Sequence, residues 1–160
     1  MPVIKRKRRA TQSERGQSLV ELAITLPILI LLLLGTFDFG MAIFSYSMLR
    51  DAAQEGAFYG SFNPANTAEI ENRARNISPR AEDDIFSSPV QLRDTDLIKV
   101  NIKALGGFCQ GAKNGVANSL QVSVSYRYPI LMPFVGRVIG SNTIPLTGTA
   151  TNVILQPPCP

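Results

Sequence analysis

The chain has 160 residues, with 16 Lys and Arg against 12 Asp and Glu, a formal charge of +4 and no histidine. The missing histidine removes the commonest general base and metal ligand, and with them the Ser-His-Asp and Cys-His nucleophile systems. Two cysteines without histidine do not make a zinc site, so no metal or other cofactor is expected.

The first 16 residues are dominated by Lys5, Arg6, Lys7, Arg8, Arg9 and Arg15. Directly after Gly16 the chain turns apolar. Basic residues beside an apolar span oppose translocation, so this leader is expected on the cytoplasmic face and the remainder outside. A Lys/Arg block also resembles a nucleic-acid patch, but its place against a span makes topology and attraction to anionic lipid the better explanation. No nucleic-acid partner is expected.

Residues 22–37 carry no charge between Glu21 and Asp38. As a helix these 16 residues cover about 24 Å, short of the roughly 30 Å of a bilayer's hydrocarbon layer. One of the two carboxylates must therefore lie close to that layer or inside it. The run is too long for the core of a secretory signal and lacks an A-x-A cleavage site, which favours a permanent membrane helix over a removed signal. Pro27 interrupts the run, removing a helix hydrogen bond to Ala23, and predicts a kink or local unwinding, with side chains such as Thr25 available to the freed backbone groups.

The stretch Arg15-Gly16-Gln17-Ser18-Leu19-Val20-Glu21-Leu22-Ala23-Ile24-Thr25-Leu26-Pro27, with the Leu-rich run and Phe37-Asp38-Phe39-Gly40 after it, resembles the TadE-like pseudopilins of tight-adherence (Flp) type IV pilus systems. The resemblance covers residues 15 to 60. It implies a prepilin-peptidase cut between Gly16 and Gln17 on the cytoplasmic side, leaving the apolar helix intact. Leu22 stands where the major Flp pilin carries Tyr, which points to a minor or accessory pilin. The resemblance further implies a pilin-like fold, a place at the inner or plasma membrane, and partnership with other pilins and the assembly machinery.

Glu21 fits that reading on physical grounds. A carboxylate at a membrane span costs about 2.5 to 3.5 kcal/mol at the helix centre, so it calls for a partner. Cleavage after Gly16 creates one, the amino group of Gln17, on this chain or a neighbour. The alternative is an interfacial pair with Arg15 of little energetic weight. Asp38-Phe39-Gly40 spells a kinase metal motif by chance, since no Gly-rich nucleotide loop or catalytic loop accompanies it. Asp38 reads as an interfacial residue or a contact to another subunit.

From Met41 to Gly60 the helix is expected to continue, with Phe44, Met48, Ala52 and Tyr59 at helical spacing. Ala52, Ala53, Gly56, Ala57 and Gly60 form a small-residue face that suits either a second helix or the chain's own distal domain. Gly60-Ser61-Phe62-Asn63-Pro64 ends the helix.

Residues 61–160 predict one small domain. Thr67 is the expected cap of a short helix that Ser78-Pro79 stops, and 81–95 reads as an acidic loop. Alternation predicts strands at Ile98, Val100 and Ile102 and at Leu120, Val122, Val124, Tyr126 and Tyr128. A third strand spans Ile144 to Leu155, with Pro145 and Gly148 marking an edge or a bulge. The apolar run from Pro129 to Val135 is assigned to the core in preference to an exposed patch.

Cys109 and Cys159 both fall on the expected oxidising side, where a disulfide would tie the Pro-rich tail to a Gly-rich loop. Two unpaired thiols are the alternative, and thiol labelling without reductant distinguishes them. Asp83 and Asp84 read as solvated loop acids, and Asn76-Ile77-Ser78 as a chance sequon.

The whole is an α+β reading: leader 1–16, transmembrane and extended helix 17–60, and an extracytoplasmic domain 61–160 with an antiparallel sheet of about three strands. No enzymatic activity is expected. The functional expectation is a minor pilin or pseudopilin, with a single-pass, membrane-tethered binding module as the alternative.

Overall fold

The computed structural model describes residues 13–75, 90–106, 118–132 and 135–155, without the side chains of 13–15. Helix α1, Ser13–Phe62, is 50 residues long, about 75 Å at the usual rise. Its first part stands clear of the other described residues: 16–34 are all exposed, although most are apolar. This helix is long and apolar enough to cross a membrane.

The second part of α1 has a buried face. Asp38, Ser45, Leu49, Ala52, Ala53, Gly56, Ala57, Gly60 and Ser61 recur at steps of three, four and seven, which lines them up along one side. The small residues in this set let the chain's own distal elements approach. A Cβ on Gly60 would strike Leu120 and Ile70, and one on Gly56 would press on Ala74 and Val122. Of the two uses for this face, packing against the C-terminal domain is therefore the one found. Phe44, on the expected helical stripe, is exposed instead.

Helix α2, Thr67–Ala74, packs across α1. Its cap is Asn66, one residue before the expected Thr67: the Asn66 side chain accepts a hydrogen bond from the Glu69 N–H at 3.2 Å. Asn and Thr both cap well, and Thr67 lies one step inside the helix. Arg73 sits 5.3 Å from the Tyr59 ring centroid, joining α2 to α1. The helix ends before the expected Ser78-Pro79 stop, which lies outside the described residues.

Three strands form one antiparallel sheet in the order β1-β2-β3: β1 is Ile98–Leu105, β2 is Ser119–Pro129 and β3 is Thr143–Val153. A short helix α3, Val135–Ile139, joins β2 to β3. Leu120, Val122 and Val124 of the central strand are fully buried and meet Leu49, Ala53, Ala57 and Ile70 in one core. Burying each large aliphatic side chain contributes about 1.5–3 kcal/mol. β3 is an edge strand as Pro145 predicts, but its register runs without a bulge from Thr143 opposite Pro129 to Val153 opposite Ser119. Gly148 serves a different purpose there, letting β3 rest on the backbone of α1 at Leu49 and Arg50. The architecture is α+β: one long apolar N-terminal helix laid against a small antiparallel sheet.

Two polar ties close the domain. The Arg75 guanidinium, nearly buried, donates to Glu71 (Nε to Oε1, 2.9 Å) and to the carbonyls of Leu92 (3.3 Å) and Ile98 (3.2 Å), so it fastens the end of α2 to the start of β1. Near the C-terminus, the Leu155 N–H donates to the Ser61 carbonyl at 2.8 Å, holding the chain against the end of α1. Cys109 and Cys159 lie outside the described residues, as do Asp83, Asp84 and Asn76.

Candidate functional site

Gly16, Gln17 and Glu21 occupy the first turns of α1, exposed and remote from the C-terminal domain. The Gly16-Gln17 bond lies within α1, and Gly weakens a helix by about 0.5–1 kcal/mol relative to Ala. A Cβ on Gly16 would meet nothing within 4 Å. The bond thus stands in open space on the helix. Of the basic residues assigned to topology, Lys5, Arg6, Lys7, Arg8 and Arg9 lie outside the described residues, and Arg15 is described in its backbone alone.

Glu21 extends from the helix with no ion-pair or hydrogen-bond partner for its carboxylate among the described residues. Its carbonyl accepts from the Thr25 hydroxyl at 2.9 Å. Thr25 also reaches the Leu22 carbonyl at 3.4 Å, but not that of Ala23, the group Pro27 deprives of its donor. α1 nonetheless runs through Pro27 as continuous helix, so the expected local unwinding is not found. One lost hydrogen bond in so long a helix leaves the flanking turns intact.

The second carboxylate of the span is placed quite differently. Asp38 is 9% exposed. Its Oδ1 accepts from the Tyr128 hydroxyl at 2.7 Å, and its Oδ2 accepts from the backbone N–H groups of Leu131 (3.2 Å) and Met132 (3.3 Å). Burial first, and then the hydrogen bond and charge of Asp38, push the Tyr128 hydroxyl from its ordinary 10.0 up to about 12. Tyr128 therefore stays protonated and donating across the physiological range. Asp38 is neither a bare interfacial acid nor a free contact for another subunit; it clamps the β2–α3 connection onto α1.

That clamp overturns the assignment of the run from Pro129 to Val135 to the core for its described residues; Pro133 and Phe134 lie outside them. Leu131 is 61% exposed, and Pro129 is exposed too, while Ile130, Met132 and Val135 are half-buried. The buried interior is already filled by Leu49, Ile70, Leu120, Val122 and Val124. Leu131 and Met132 instead leave the sheet and lie against α1, where the Met132 methyl rests on Gly35. Sequence reasoning missed this arrangement. A charged residue ending an apolar run signals that a partner exists, but nothing local points to a tyrosine 90 positions away.

Two further comparisons bear on the whole chain. No curated protein and no solved structure shows significant similarity to it. The segment that carries Gly16, Glu21 and Asp38 does have relatives: residues 16–57 match the family model described as TadE-like protein, the family that the N-terminal motif resembles.

Proposed function

We propose that this protein is a minor pilin or pseudopilin of a tight-adherence (Flp) type IV pilus system, matured by a prepilin peptidase that cuts between Gly16 and Gln17. The observation that carries the reading is the position of Gly16 five residues before Glu21 at the exposed head of an apolar helix, within the segment that matches the TadE-like family. The basic leader stays in the cytoplasm and the C-terminal domain faces outward. The partners are then the membrane, the peptidase, and other pilins with their assembly machinery.

In a host that carries the peptidase, the intact mass of the membrane-extracted protein is expected to show loss of residues 1–16. A protein that still begins at Met1 in that host removes the main support for the proposal.

Glu21 is assigned the assembly role. After cleavage the Gln17 amino group, on this chain or on a neighbour, supplies the positive charge that its carboxylate lacks, and in a low-dielectric helix bundle that pairing is strong. Glu21→Gln keeps the size and removes the charge. Cleavage and membrane insertion are expected to persist while co-purification with partner pilins falls several-fold. Recovery of the partners at wild-type yield would show that Glu21 has no such role.

A further inference from the structure

We propose that Leu131, Met132 and α3 form a wedge seated in the lipid bilayer itself, in the leaflet on the side of the C-terminal domain. The inference rests on the reading that α1 spans a membrane.

Depth comes first. With Glu21 at one boundary, a hydrocarbon layer of about 30 Å takes about 20 helical residues and ends near Met41. Glu21 is the carboxylate to place at a boundary, because Asp38 has donors from its own chain and Glu21 has none among the described residues. Asp38 then lies about 4 Å and Gly35 about 9 Å below the far boundary. Leu131 and Met132 are fixed at those levels, since both bond to Asp38 and the Met132 methyl meets Gly35, and α3 follows at the same end of the sheet, beyond the Pro129–Thr143 pair. Interfacial segments bury their apolar faces about 5–10 Å deep, the same range.

Surface chemistry agrees. Val138 is 87% exposed, Leu131 61% and Ile139 57%, an apolar display that water disfavours. Phe37 and Phe39, which flank Asp38 on α1, are exposed as well, so apolar side chains adjoin the point where Leu131 and Met132 attach. From Tyr128 to Asn142 the only charged residue is Arg137.

Backbone chemistry agrees independently. Irregular backbone at membrane depth is tolerated only when its polar groups are satisfied within the protein. Pro129 and Pro133 have no N–H to satisfy. The Ile130 N–H donates to the Asn142 carbonyl at 3.0 Å, and those of Leu131 and Met132 donate to Asp38. Every donor from 129 to 132 is thus accounted for without water.

The native chain contains no tryptophan, so single-tryptophan variants report depth without a labelled cysteine. Full-length Val138→Trp, Ile139→Trp, Phe37→Trp and Lys99→Trp are each reconstituted at high lipid excess into phosphatidylethanolamine–phosphatidylglycerol vesicles, with and without brominated acyl chains. Val138 and Ile139 are exposed enough for either to accept the indole without repacking, so one remains informative should the other misfold. The expected result is blue-shifted emission and strong bromolipid quenching for Val138→Trp, Ile139→Trp and Phe37→Trp, and neither for Lys99→Trp on β1. Quenching of Phe37→Trp alone, with Val138→Trp and Ile139→Trp open to aqueous iodide, overturns the wedge while leaving the span in place, and makes the patch a surface for another subunit. Absence of quenching at Phe37→Trp as well overturns the span, and the wedge with it.

Discussion

Gly148→Ala is expected to lower the melting temperature of the C-terminal domain by on the order of 15 °C, from an overpacking cost of about 3 kcal/mol in a domain of this size. The reason lies in what a single methyl group would meet. An added Cβ strikes the Arg50 nitrogen and the carbonyl carbon of Leu49, and lies 2.6 Å from the Leu49 carbonyl oxygen. These are backbone atoms of a long helix, so no rotamer change relieves the clash. The sheet must lift away from α1, and with it Val122 and Val124 leave the apolar surface they share with Leu49 and Ala53. Gly40→Ala is the matched control: nothing lies within 4 Å of its added Cβ, and alanine is the better helix former by about 1 kcal/mol. Circular dichroism melts and trypsin resistance in detergent read both. A Gly148→Ala protein that melts within a few degrees of wild type would mean that β3 does not rest on the helix backbone.

Gly148 also shows where sequence reading reaches its limit. Its presence in a Thr-rich strand signals a departure from ordinary pleating, and a bulge or edge is the local interpretation. The actual cause is an element some 100 positions earlier in the chain, so no window around Gly148 contains it. The strands themselves were legible because alternation at Ile98–Lys103 and Leu120–Tyr128 directly records which face is buried. The long helix was legible because its apolar run has no competing pattern. The small-residue face at 52–60 fixed the close approach but not its partner, since glycine and alanine state how near something comes and not what it is. Gly16, Gln17 and Glu21 were read from a motif and still stand on it, whereas the clamp at Asp38 depends on Tyr128, Leu131 and Met132, which only the folded chain brings to it.

Asp38→Ala is expected to release the β2–α3 connection from α1 at a cost on the order of 3 kcal/mol, because two part-buried N–H groups lose their acceptor at about 1–3 kcal/mol each while the Tyr128 hydroxyl keeps only its longer bond to the residue-38 carbonyl, 3.3 Å. The donors are the Tyr128 hydroxyl, in a side chain 6% exposed, and the N–H groups of Leu131 and Met132. Amide hydrogen exchange at Leu131 and Met132 is the specific readout and should accelerate sharply, while the amides of Val122 and Val124 at the sheet's centre stay protected. Tyr128→Phe removes one of the three bonds and should cost about 1.5–3 kcal/mol, the range for a hydrogen bond to a charged group. The two changes touch one network, so Asp38→Ala with Tyr128→Phe should cost less than the sum of the two alone. High pH gives a second signature. The Tyr128 hydroxyl titrates at about 12 in the folded protein against an ordinary 10.0, so the unfolded chain releases its proton first. Stability is therefore unaffected by this group below pH 10, falls between 10 and 12, and levels off above that. Tyr128→Phe removes that component of the alkaline loss, and Asp38→Ala narrows the window, because burial remains a cause of the shift when the carboxylate is gone. Unchanged exchange at Leu131 and Met132 in Asp38→Ala would show that the carboxylate does not hold the connection, and would return Asp38 to service as a contact for a neighbouring subunit.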